Sequence, residues 1–148
     1  MKVKFFIRII LAAAVPGMVF IESPAWSQAK PGAETNLILE EMAVLDPAFK
    51  TIIDAVVIGD MQRIPPALRG VAEARERVEK AVRAGQKILL PKNQSQLREF
   101  LYFDEQFHIY LEELSRAAET GQKKVVKNYV HKLLDACVVC HEKYRNRK

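Results

Sequence analysis

Four stretches of the chain carry apolar residues at alternating steps of four and three. The first runs Ile38, Met42, Leu45, Phe49, Ile52, Val56 and closes at Gly59-Asp60. The second runs Ile64, Leu68, Val71, Ala74, Val78, Val82 and ends at Gly85. The third is broad and aromatic, with Leu97, Phe100, Leu101, Phe103, Phe107, Tyr110, Leu111, Leu114 and Ala118 before Thr120-Gly121. The fourth is Val126, Val130, Leu133, Cys137, Cys140, Tyr144. A four-three spacing keeps one stripe of a helix facing a neighbour, so each stretch predicts a helix buried along one seam. No alternating strand pattern and no repeat of 20–50 residues competes. The fold class expected is all-α: an up-down-up-down four-helix bundle with mostly short links.

Local signals refine this picture. Asp46-Pro47 predicts a kink or a break with a restart in the first helix, because proline lacks the N–H that the ladder uses. Pro65 and Pro66 fall in a first turn, where that loss costs little. Asn93 or Ser95 is the expected cap of the third helix. The longest link, 85–95, carries Ile88-Leu89-Leu90 and is expected to cross and cover one end of the bundle.

The N-terminus reads as a targeting segment. Lys2, Lys4 and Arg8 precede an apolar run from Ile9 to Ile21, and Ser27-Gln28-Ala29 supplies small residues at −3 and −1 of a cleavage site. The expected division is a signal peptide, 1–29, and one domain, 30–148. The apolar run is shorter than the roughly 20 residues of a membrane span, so no stable membrane insertion is expected after cleavage; an uncleaved anchor is the alternative. Three cations and one anion leave with the signal, taking the formal charge from +5 to +3. Charges of both signs are interleaved, which argues against a nucleic-acid-binding stripe. The basic tail from Lys143 reads as a solvated helix end or, more sharply, as a docking patch for an acidic redox partner.

The chemistry concentrates in Cys137-Val138-Val139-Cys140-His141, which holds both cysteines of the chain. It reads Cys-x-x-Cys-His, the attachment signal of one covalent c-type haem. Two thiols add to two vinyl groups, and the adjacent imidazole takes the iron from the proximal side. Positions i, i+3 and i+4 share a helix face, so Cys137, Cys140 and His141 approach one porphyrin together. Both cysteines also fall on the apolar seam, which turns that porphyrin toward the core. Two other readings compete. A closed zinc site lacks its fourth ligand. A haem-free thiol or interaction module, with a redox-thiol pair or a structural disulfide, is the other; a redox Cys-x-x-Cys usually opens a helix after a strand, whereas this one lies near the end of a long helical pattern.

With these residues in place, the chain resembles the class II c-type cytochromes, the cytochrome c prime family, across residues 30–148. The carrying segment is Cys137-Val-Val-Cys-His-Glu-Lys-Tyr-Arg145, close to the C-terminus, whereas most small cytochromes c place the motif near the N-terminus. The resemblance implies a soluble periplasmic electron-transfer protein, not an enzyme, serving redox partner proteins, with pairing of two copies through the first two helices. Met42 stands where the methionine-ligated branch has its distal iron ligand; plain core filling is the alternative for it. A five-coordinate branch binds nitric oxide or carbon monoxide instead. Ile38 stands where the family commonly has an arginine, and Arg145 resembles the family's arginine beside the proximal pocket.

Other candidates have plainer roles. Met61 reads as a loop or bundle-end residue. His108 would allow bis-histidine ligation but more ordinarily is a hydrogen-bonded or partly exposed histidine. His131 points about 80° away from His141 and reads as surface. Asp104 and Arg75 interrupt apolar faces.

Overall fold

The computed structural model describes residues 36–146, so the expected signal peptide, 1–29, lies outside the described residues. Among the described residues the secondary structure is helical throughout, with no strand. Four long helices make up the fold: α1 Leu37–Ile58, α2 Ile64–Arg83, α3 Leu97–Glu119 and α4 Lys123–Tyr144. Short 3-10 turns, Met61–Arg63 and Gln94–Gln96, precede α2 and α3. None of these helices is long and apolar enough to cross a membrane.

Each boundary has a local cause. The Asn36 side chain accepts hydrogen bonds from the Ile38 and Leu39 N–H groups at 3.1 and 3.3 Å, satisfying two free donors of the first turn of α1. Gly59 ends α1 in the left-handed region at φ 81°, a conformation that favours glycine. Pro65 and Pro66 occupy the first positions of α2, as their spacing predicts. The expected break at Asp46-Pro47 is absent: α1 runs through Pro47. Pro47 is exposed, so the Ala43 carbonyl deprived of its partner meets water, while buried Leu45 and Ala48 on either side hold the helix to the core. Asp46 does not cap a new helix but pairs with Lys50 one turn on, at 2.6 Å.

Packing is most extensive between α1 and α2 and between α3 and α4, with smaller contacts joining α2 to α3 and α1 to α4. Two core clusters result. The larger one includes Ile52, Ile64, Leu114, Val126 and Leu133, and Met61 belongs to it: that methionine is core, not the loop residue expected from its neighbours. The smaller one gathers Ile38, Val78, Phe100 and Tyr144 with Ile88 and Leu90 of the long link. The link therefore covers apolar surface, as its composition predicts. Gln94 clamps it, accepting from the Leu90 N–H at 2.8 Å and donating to the Ile88 carbonyl at 2.9 Å.

Asn93 does not cap α3. It sits in the left-handed region at φ 57°, and its side-chain amide donates to the Lys143 carbonyl at 2.7 Å, satisfying a free acceptor in the last turn of α4. The same end is fastened twice more. Lys143 Nζ lies 2.7 Å from both Glu99 carboxylate oxygens, and the Tyr144 ring meets Phe100 edge-on with centroids 5.2 Å apart. These contacts tie the C-terminal turn of α4 to the start of α3, directly beside Cys140 and His141.

Candidate functional site

The last three turns of α4 border a cleft of about 930 Å³, near the upper end of the roughly 300–1,000 Å³ of small-molecule and cofactor sites. Cys137, Cys140 and His141 of α4 line the cleft, as do Met42 of α1 and Phe103 and Phe107 of α3. The four residues singled out from the sequence thus open onto one space. Cys137 packs against the larger core cluster and Cys140 against the smaller one, so the motif spans the junction between the two. Met42 is half-buried at the edge of the larger cluster.

Electrostatics separates the competing uses of the thiols. Burial pushes the Cys137 thiol above its ordinary pKa. Burial pushes Cys140 up to about 11, with the Asp104 and Cys137 charges adding to the effect. A redox-active Cys-x-x-Cys needs the reverse, a thiolate stabilised by positive surroundings. His141 is exposed on one side, and partial burial followed by the Arg145 charge lowers its pKa. Its imidazole is therefore neutral at pH 7, with a nitrogen lone pair available to a metal.

The residues fit a haem. Two neutral thiols and a neutral imidazole share one wall, a thioether and aromatic rings face the same space, and the surroundings are mainly apolar. Lys132 and Arg145 also border the cleft and suit the carboxylates that a porphyrin carries. Ile38, where the resemblance places an arginine, is a core residue with 4% exposure and offers no charge.

The other expectations divide. His131 is exposed, as predicted. Arg75 pairs with Glu79 at 2.7 Å and Glu112 at 2.9 Å. His108 is fully buried and does not border the motif cleft; its Nε2 lies 2.6 Å from Glu41 Oε1, which takes it out of bis-histidine ligation. Asp104 stands 3.8 Å from the same His108 nitrogen and borders the motif cleft. Burial, reinforced by the neighbouring Glu41 charge, raises the Asp104 pKa to about 6. Glu41 is absent from the sequence reading, although it is 1% exposed. The only available signal was that Asp104 and His108 sit four residues apart on one face of α3, and nothing in their spacing names a partner on α1.

Compared with protein-family models, curated proteins and solved structures, the chain shows no match. The haem reading accordingly rests on the motif and on the cleft that it borders.

Proposed function

We propose that this chain is a periplasmic monohaem c-type cytochrome of the class II kind, exported by its signal peptide, that carries electrons between redox partner proteins and is not an enzyme. In this reading the four helices form an up-down-up-down bundle, consistent with the short links and with the extensive packing of consecutive pairs. Cys137 and Cys140 hold one haem c through thioether bonds, and His141 and Met42 bind its iron. The observation that carries the reading is that one cleft is bordered by all four of these residues.

The haem supplies one-electron chemistry when bound, and the protein supplies its setting. His141, its pKa lowered by burial and by Arg145, would offer its lone pair to the iron. Met42 offers a thioether, and a Met/His ligand pair raises the iron potential. Phe103 and Phe107 give the cleft an apolar wall. Glu99 and Asn93, by holding the Lys143 turn, fix the segment that carries His141. Those contacts would keep His141 in place when the group is bound.

The test is a visible absorption spectrum of the chain matured in a host that assembles c-type cytochromes. The expected result is one covalent haem per chain with a low-spin spectrum, and Met42→Ala converts it to a high-spin, carbon-monoxide-binding form. A high-spin wild-type spectrum that Met42→Ala leaves unchanged replaces this reading with the five-coordinate, gas-binding one. A colourless chain removes both and leaves the haem-free module.

A further inference from the structure

The buried cluster beside the motif cleft has a chemistry of its own. Glu41 reaches from α1 toward α3, where Asp104 and His108 stand one turn apart on a shared face. One donor atom from each residue lies within 4.8 Å of the other two. The His108 nitrogen is 2.6 Å from Glu41 and 3.8 Å from Asp104. Donors held about 2.0–2.2 Å from a tetrahedral ion stand roughly 3.4 Å from one another, a spacing bracketed by these two distances. Small side-chain rotations therefore suffice to bring all three onto one ion.

A second observation points to a missing partner. Glu41 Oε2 is fully buried and has no hydrogen-bond donor. An unpaired buried carboxylate oxygen is among the costlier features a core can hold. No lysine or arginine among the described residues forms an ion pair with Glu41 or Asp104, and the nearby Arg75 is engaged by Glu79 and Glu112. As ligands, two carboxylates and an imidazole carry a charge of −2, which one divalent cation balances.

We propose that Glu41, Asp104 and His108 bind one divalent first-row metal ion, at a site separate from the Cys137–His141 motif and independent of whether that motif carries haem. An imidazole with two carboxylates and no thiolate suits zinc, manganese or iron(II) and disfavours copper(I). Three protein ligands leave at least one coordination position for water. Metal binding at His108 Nε2 places the single proton of the neutral imidazole on Nδ1, so the ion takes the place of the hydrogen between Nε2 and Glu41 Oε1. Access exists from two sides, since Asp104 borders the motif cleft and His108 borders a second cleft of about 760 Å³ between α2 and α3.

The probe is zinc(II), added to the full-length, chelator-stripped protein, with uptake measured by equilibrium dialysis and the ligands by zinc-edge X-ray absorption. The expected result is one equivalent bound through nitrogen and oxygen at about 2.0–2.1 Å, with no sulfur shell near 2.3 Å. Glu41→Gln and His108→Gln lower the affinity about tenfold or more, whereas the exposed His131→Gln leaves it unchanged. Failure of the wild-type protein to take up one equivalent overturns the proposal, as does uptake that survives both substitutions. A sulfur shell overturns it too and shows Cys137 and Cys140 free to bind zinc, which counts against haem at those thiols. A nitrogen-oxygen shell on a colourless protein keeps the metal site and removes the haem reading. The absorption spectrum of the wild-type complex decides between these outcomes even if a variant does not fold.

Discussion

Glu41 and Met42 are neighbours on α1 with different surroundings. A step of about 100° around the helix turns one toward His108 and the other toward the cleft bordered by the motif cysteines. Met42 was legible because it lies on the apolar seam and because its position matches a ligand in the family that the chain resembles. Glu41 was not, because a glutamate one step off a seam ordinarily marks the solvated flank of the stripe. Its burial depends on neighbours distant in sequence, among them His108 of α3. Asp104 gives this cluster a measurable signature in metal-free protein. Its folded pKa, about 6, lies above the unfolded value of 3.8. For an acid with a raised folded pKa the native state holds the extra proton, so stability is greatest below the unfolded value and falls as pH rises from about 4 to about 6, then levels off. The expected cost at pH 7 is on the order of 1–3 kcal/mol. Asp104→Asn removes that slope. Denaturant midpoints at pH 4 and pH 7 check it: the variant gains over wild type at pH 7 and little at pH 4, and an equal gain at both values contradicts the assignment.

At the scale of elements, the seams predicted all four helices and nearly all their ends, because alternating four-three steps and the Gly59 and Thr120-Gly121 stops are local signals. What misled were residues whose role is set by something distant. Pro47 reads as a breaker in isolation, yet it faces solvent on a helix that the core holds straight through it. Asn93 reads as a cap for the helix that follows, yet it serves the end of α4, fifty positions on. A tight contact between α1 and α2 is likewise hidden in sequence. A Cβ placed on Gly70 would stand 3.3 Å from Val44 Cγ1, tighter than ordinary contact. Valine in a helix is nearly fixed at χ1, so that methyl does not swing away. Gly70→Ala gains up to about 1 kcal/mol of helix propensity against this crowding, and the net change stays within about 1 kcal/mol. Gly70→Leu forces the helices apart and costs roughly 1–3 kcal/mol. Urea midpoints of both variants, alone and with Val44→Ala, measure the effect. Val44→Ala recovers part of the Gly70→Leu loss, and a loss unaltered by Val44→Ala places the crowding elsewhere.

For the whole molecule, the decisive feature is that the two core clusters meet at the motif. Cys137 belongs to the edge of one cluster and Cys140 to the edge of the other, and the cleft between them is bordered by Phe100, Phe103 and Phe107. Met42 at the edge of the larger cluster and Phe103 at the edge of the smaller are only half-buried where they line this cleft, so a large apolar group bound there adds burial to both clusters at once. On the haem reading, that group is a porphyrin fastened at the seam, and it bridges two clusters to which all four helices contribute. The chain therefore behaves differently with and without it. Matured with haem, it unfolds in one cooperative transition. Cys137→Ala/Cys140→Ala, unable to form the thioether bonds, loses the added burial, melts on the order of 10 °C lower and over a broader range, and binds a dye that reports exposed apolar surface. The smaller cluster is expected to loosen first, since it holds fewer buried residues and the long link and the end of α4 contribute much of it. Hydrogen exchange resolved by residue checks the order: amides around Phe100 and Tyr144 lose protection before those around Leu114 and Leu133. Equal protection in both clusters, together with an unchanged melting temperature, shows instead that the helices alone complete the core and that the cleft is not where the fold gains its stability.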